Sequence, residues 1–325
     1  MPRFSISVAS GGSQSLSERP RELVILRIGW LLKTTGVRAT VTDQFARQDA
    51  DVLLAIHAEK SRRSIKWFHQ VHPERPLVVL LAGTDIHRRP LSEACLKSLQ
   101  LADRLVALQH RAIERLPVSL RSKAITIHQS ACPPARRASP LQDSFEVAVV
   151  ANLRAVKDPL RTALAIRDLP SELRVLVTHC GLALSDSLAA RAKREYTLSN
   201  HRYRWVGGRP AHQALRLIQR ARLLVVSSRS EGGANVISEA IACGTPILAS
   251  RMDGNIGLLG EQYPGYFPVG DPAALRQLII RAAGDADWLA RLRQSVLDLQ
   301  PAFTPDTERH AWLDLLGELP NQGSS

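Results

Sequence analysis

Ser227 to Ser250 reads SSRSEGGANVISEAIACGTPILAS. An apolar run, Leu223–Val226, ends directly before it, and a second, Ile247–Ala249, closes it. Between them a polar loop with two glycines opens a helix-period stretch, Asn235–Cys243, that stops at Gly244, the residue that takes a left-handed backbone after a last helical turn. Strand, loop, helix and strand in this order make a βαβ unit. Its strands lie parallel, and the loops that follow them gather the chemistry.

The same alternation extends in both directions. Towards the N-terminus, Glu146–Val150, Arg174–Thr178 and Tyr203–Val206 read as strands, separated by helical stretches at Pro159–Leu169, Ser185–Ser199 and Ala211–Arg220. Further up, Phe4–Ala9, Val52–Ile56, Leu77–Leu81, Arg104–Ala107 and Ile125–Ile127 alternate with Glu22–Thr35, Ser61–His72, Ser92–Leu101 and His110–Leu116. Near-continuous apolar strands fit parallel sheets covered on both faces. Ser130–Pro140, SACPPARRASP, interrupts the series with three prolines and reads as a linker. The sequence therefore predicts an α/β protein of two Rossmann-like doubly wound domains, residues 1–141 and 142–301, with a cleft between them. The helical tail follows from Asp271, and its last piece, 302–325, is a candidate to pack back on the first domain.

The chain has 325 residues, 45% hydrophobic and 22% charged, an ordinary globular composition with room for two cores. Its net charge of +13 is carried by 36 arginines and 7 lysines. Residues 1–141 hold 22 basic and 11 acidic side chains, the remainder 21 and 19, so the surplus sits almost wholly in the first half. A pI near 10.3 raises nucleic acid, a membrane surface or an anionic substrate as partners. Aromatic content of 5% and the lack of a helix-turn-helix or RNA-binding signature speak against nucleic acid. No amphipathic helix with an aromatic face in the first half favours stable membrane association. No apolar run reaches the roughly 18 residues of a span, and Met1–Ala9 reads as a strand rather than a secretory signal. Cys95, Cys132, Cys180 and Cys243 form no C-x-x-C pair, so neither a metal site nor a disulfide framework is expected, and a cytoplasmic location is.

Three loops carry candidate chemistry. In the first, Gly232 and Gly233 leave unobstructed N–H groups at a helix start, where an anion such as a diphosphate is favoured. Glu231 precedes that helix and Glu239 lies two turns along it; a carboxylate accepts two hydroxyls at once, which suits a sugar diol. The E-x7-E spacing alone also fits dipole compensation by Glu231 and a solvated helix face for Glu239. In the second loop, VANLRAVKDP (Val150–Pro159), Arg154 and Lys157 are placed to neutralise charge on a leaving group. The third, LVVLLAGTDIH (Leu77–His87), brings Gly83, Thr84 and Asp85 to the end of a strand, although Asp85 also fits a helix cap or turn. His57, Lys60, Arg63 and His128 follow strands in the first domain as well.

Taken together, the S-R-S-E-G-G-A-N loop and the E-A-x-A-x-G-T-P helix resemble the nucleotide-sugar site of GT-B glycosyltransferases of the large family 4 group. That resemblance implies that Glu231 and the amides of Gly232–Asn235 contact the donor sugar and that Glu239 holds the ribose. It makes Lys157 the lysine of G-R-L-x-x-x-K-G; Asn152 stands at that pattern's arginine position, and the role passes to Arg154. Many relatives carry H-G-x-D in the third loop, whereas this chain has Ala82 before Gly83.

The stretches AGTDI, IHQSA, NLRAVKDPLR, YRWVG and EGGANVISEAIACGTPILASRMDGNIGLLGEQYPGYFPVGD are most similar to the selenosugar synthases of selenoneine biosynthesis. This implies a metal-independent enzyme without a cofactor that joins a sugar from a UDP-sugar, commonly UDP-N-acetylglucosamine, to the selenium of selenophosphate. A soft, anionic nucleophile needs no histidine base, only a positive pocket. Gly11, Gly12, His57, Lys60, Gly83, Thr84, Asp85 and His128 are the acceptor-side candidates. Two other readings stay open: a family 4 enzyme acting on a cell-envelope or other oxygen acceptor, and a nucleic-acid-binding protein on a degenerate scaffold of the same fold.

Overall fold

A computed structural model describes residues 5–9, 27–29, 31, 37–42, 44–45, 49–81, 90–170 and 172–319. The chain divides into two compact units, Met1–His128 with Asp306–Ser325, and Gln129–Pro305. Ser130–Pro140, expected as the boundary, lies inside the second unit. Its backbone is docked there: Ala138 N–H donates to Gln219 Oε1 at 2.9 Å, and Gln219 Nε2 donates to the Pro134 carbonyl at 3.3 Å.

In the first unit, strands β1 (Ser5–Ala9), β2 (Arg38–Thr42), β3 (Val52–Ile56), β4 (Leu77–Leu81), β5 (Arg104–Ala107) and β6 (Ala124–Thr126) form one parallel sheet in the order β2-β1-β3-β4-β5-β6. Every residue of β3 and β4 is buried, as a sheet covered on both faces requires. Alternate residues feed two cores. Val52, Leu54, Ile56, Val78 and Leu80 pack on one face, and Leu53, Ala55, Leu77, Val79 and Leu81 on the other.

The second of these cores is filled by Ile65 and Phe68 of helix α1 (Arg62–Val71) and by Cys95 and Leu99 of α2 (Glu93–Leu101). The first core is closed by the last helix of the chain, Pro305–Gly317, whose Trp312, Leu315 and Leu316 are buried. Its Glu308 is buried too and takes an ion pair from Arg27. The helix expected over His110–Leu116 is the short α3 (Arg111–Glu114), and a second short helix, α4 (Val118–Arg121), starts after Pro117, which cannot continue the first.

The second unit repeats the scheme, with helices α5 (Arg161–Ile166), α6 (Asp186–Leu198) and α7 (Ala211–Arg220) between its first strands. Strands β7 (Phe145–Val150), β8 (Val175–Cys180), β9 (Tyr203–Trp205), β10 (Leu223–Val226), β11 (Ile247–Ser250) and β12 (Tyr266–Phe267) are parallel in the order β12-β11-β10-β7-β8-β9. The chain leaves β7 towards one edge of the sheet and returns to build the other half from β10. The sheet therefore reverses direction between β7 and β10, with Leu223 opposite Val147 and Leu224 opposite Ala148. In an open parallel sheet, ligands bind at the carboxyl ends of the two strands flanking such a reversal.

Candidate active site

The loop leaving β7 is sewn to the loop leaving β8. Ala151 N–H donates to the Cys180 carbonyl at 3.0 Å, and the Asn152 carboxamide Oδ1 accepts from Leu182 N–H at 2.9 Å. Gly181 is a glycine by necessity, since a Cβ there would stand 1.9 Å from the Ala151 carbonyl oxygen. His179 is fully buried, with Nε2 2.8 Å from the Ala151 carbonyl and Nδ1 2.6 Å from the Tyr203 hydroxyl. Burial pushes the imidazole down to about 4 and the Tyr203 phenol upwards, so both are neutral. Neutral His179 then donates from Nε2 to Ala151 and accepts at Nδ1 from Tyr203.

From this anchor the chain makes a single 3-10 turn, Ala155–Lys157, and Asp158 follows in the left-handed region at φ 44°. Asp158 occupies the glycine position of the family pattern. Its carboxylate takes Arg161 at 2.9 Å and Arg229 at 3.3 Å. The Ser227 hydroxyl, on the loop after β10, is 3.2 Å from the Lys157 carbonyl and 2.9 Å from that of Asp158. The loops after β7 and β10 are thus tied together at Lys157, at the reversal point of the sheet.

The side chains meet there as well. The Lys157 ammonium is ion-paired with Glu231 Oε1, and the Ser228 hydroxyl donates to the same oxygen at 2.7 Å. The Glu231 side chain is 12% exposed and that of Lys157 27%, so the pair is largely withdrawn from water. Arg154 is exposed and makes no ion pair among the described residues. A small cavity beside this cluster is lined by Val150, Ala151, Lys157, Ser227, Ser228 and Val236. An open pocket of about 560 Å³ is lined by residues of the same turn, Ala155 and Val156, and by Asp158, Arg161 and Arg229.

Helix α8 (Asn235–Cys243) starts behind Glu231 with Ala234 at its N-cap, so no side chain caps the first turn. Gly232 and Gly233 are half-buried, Ala234 is buried and Asn235 is exposed. Two turns along, Glu239 has no hydrogen-bond or ionic partner among the described residues, and burial pushes its carboxyl up to about 7. The Cys243 thiol, one turn further, is pushed up to about 12 by burial and by that neighbouring carboxylate. Gly244 ends the helix at φ 64°, as expected from the sequence.

Of the acceptor-side candidates, His57, Lys60 and His128 fall among the described residues. His57 is 3% exposed and sits in a turn at φ 74°, with its Nδ1 accepting from Lys60 N–H at 3.4 Å ahead of α1. Lys60 itself is exposed. The His128 ring stands 3.2 Å from the Leu108 carbonyl, and burial lowers its pKa. Gly11, Gly12, Gly83, Thr84 and Asp85 lie outside the described residues. Among the described residues no group of three or more His, Cys, Asp or Glu is placed to hold a metal ion, and no helix is long and apolar enough to cross a membrane.

Sequence reading missed Ser228, Asp158, His179 and Gly181. Ser228 carried a usable signal, because a hydroxyl three residues before a glutamate in a tight loop can reach its carboxylate. The other three depend on which loops end up side by side.

A parallel sheet that reverses between two loops joined by a lysine–glutamate pair offers a ligand position at the carboxyl ends of its strands. Comparison gives it a family: residues 134–296 match glycosyl transferases group 1, and the chain belongs to that family and is a glycosyltransferase. No curated protein sequence matches it directly.

Solved structures share the fold along nearly the whole chain. Alr3699/HepE from Anabaena, in complex with UDP, is 18% identical with a TM-score of 0.78, covering 97% of this chain and 100% of that one. Sucrose-phosphate synthase from Thermosynechococcus elongatus is 16% identical with a TM-score of 0.77, covering 97% and 99%. An alpha,alpha-trehalose-phosphate synthase (UDP-forming) from Burkholderia vietnamiensis is 11% identical with a TM-score of 0.74, covering 97% and 98%. The fold is GT-B.

Proposed function

We propose that the protein is a selenosugar synthase, transferring the sugar of a UDP-sugar, UDP-N-acetylglucosamine in the first instance, to selenophosphate. The observation that carries the donor half is the Lys157–Glu231–Ser228 cluster at the β7/β10 reversal, with Glu239 two turns along the adjoining helix. UDP in HepE supports the choice of nucleotide. On this reading Glu239 takes the ribose diol, and the diphosphate lies at the uncapped start of α8 near Lys157 and Arg154. Glu231 and Asn235 face the sugar. The UDP-sugar is a substrate, and no cofactor is assigned.

The acceptor half rests on the motif resemblance from Val52 to Asp271 and on the excess of 22 basic over 11 acidic residues in the first 141. An anionic nucleophile is drawn to such a field. A selenium lone pair attacks the anomeric carbon and forms the C–Se bond. The C–O bond to the β-phosphate breaks, and UDP leaves with that electron pair. Water then cleaves the P–Se bond, releasing phosphate.

The test is incubation with UDP-sugars and selenophosphate under reducing conditions, with thiophosphate and sugar-hydroxyl acceptors in parallel, read by mass spectrometry. A selenium-containing sugar and stoichiometric UDP are expected. UDP release with an oxygen acceptor and none with selenophosphate would replace the acceptor assignment.

A further inference from the structure

Glu231 is held from a second direction. Ser228, 2% exposed, donates to its carboxylate, and the Ser228 carbonyl in turn accepts the hydroxyl of Ser250 at 2.5 Å. Ser250 ends β11 and is fully buried. It accepts from Asn255 Nδ2 at 3.2 Å, and the same amide donates to the Ser250 carbonyl at 2.8 Å. Asn255 is also fully buried, in helix α9 (Asp253–Leu259), a place where an amide is retained only against a cost. Beside it Gly254 brings the first turn of α9 against Glu231 itself, since a Cβ there would lie 2.2 Å from the Glu231 carbonyl oxygen. The β10 loop, β11 and α9 thus converge on the Ser228–Glu231 segment, in which the Ser228 hydroxyl reaches the carboxylate.

That carboxylate has a divided partner in Lys157, which on the reading above also serves the diphosphate. Phosphate charge beside the ammonium would share it with Glu231 and weaken its hold on the carboxylate. Ser228 is neutral, buried and locked by its own carbonyl, so its hydrogen bond persists.

We propose that Ser228, Ser250 and Asn255 are positioning residues, a neutral hydrogen-bonded relay that fixes Glu231 for the sugar half of the donor. The proposal rests on the UDP-sugar reading, and its test separates the two.

Titration calorimetry with UDP and with UDP-N-acetylglucosamine is run on the wild type and on Ser228→Ala, Ser250→Ala and Ser228→Thr. Loss of the hydrogen bond to the Glu231 carboxylate in Ser228→Ala weakens UDP-N-acetylglucosamine by about fivefold to tenfold, and Ser250→Ala, which frees the Ser228 carbonyl, weakens it in the same direction; both leave UDP within about twofold, while Ser228→Thr retains affinity. Equal weakening of both ligands, or of neither, overturns the relay.

Should the wild type bind neither nucleotide, the donor reading falls and hydrogen exchange decides the relay alone. Amides 231–235 exchanging about fivefold faster in both alanine variants support it, and unchanged exchange overturns it.

Discussion

Lys157 is the residue on which the site turns, because it is fixed at both ends. Its carbonyl is held by Ser227 and its ammonium by Glu231, both from the loop after β10. A cation set in place before the reaction costs no reorganisation as charge develops, and removing one such group lowers turnover by about 10²- to 10³-fold. Lys157→Ala is therefore expected to lose that much in kcat. Arg154→Ala, lacking any ion pair among the described residues, is expected to lose less. Steady-state kinetics on the two variants checks the order, and a larger loss for Arg154 would make the arginine the principal cation. Both residues were legible in the sequence by type and spacing. Their difference was not, because the pairing of Lys157 with Glu231 joins positions 74 residues apart.

At the scale of elements, the central strands were readable and two of the four edge strands were not. β3 and β4 announce themselves as unbroken apolar runs because both faces are covered, and the helix from Asn235 to Gly244 because its glycines punctuate it. β2 (RATVT) and β12 (YF) were missed: each is a sheet edge, short, and paired on one side only. The clamp between the loops after β7 and β8 was equally hidden, since a glycine in a loop does not reveal what backbone it touches.

Two glycines near β8 and β9 now separate strain from collision. Gly207 lies at φ 74° with nothing within 4 Å of a built Cβ, so Gly207→Ala costs only the left-handed penalty, about 1–2 kcal/mol. Gly181→Ala drives a methyl into the Ala151 carbonyl, backbone against backbone, and is expected to cost more than about 3 kcal/mol and to abolish nucleotide binding by displacing the Lys157 loop. Urea denaturation of both variants measures the difference, and equal losses would show that the two loops separate easily.

Over the whole molecule, two titrating groups in the second unit, the half-buried Glu239 and the buried His179, work against each other. Glu239 has its pKa raised from 4.5 to about 7, so the folded form keeps a proton that the unfolded chain releases, and stability falls as pH rises between those values. His179 has its pKa lowered from 6.5 to about 4, so the unfolded chain takes up a proton that the folded form refuses, and stability falls as pH drops from 6.5 to 4. Each contribution is up to about 3 kcal/mol at 1.36 kcal/mol per pH unit, and the two windows nearly coincide.

The wild-type second unit should therefore vary little in stability between pH 4.5 and 6.5. Glu239→Gln removes one of the opposing slopes and should leave a unit that gains stability steadily from pH 4 to 6.5, followed by urea titration with hydrogen exchange read at β7 and β8. Nucleotide binding adds the complementary sign. A ribose diol donates to the ionised carboxylate, so UDP affinity should climb with pH up to about 7 and then level, and Glu239→Gln should bind weakly at every pH. A UDP affinity that is flat from pH 5 to 8 in the wild type would place the ribose elsewhere than on Glu239.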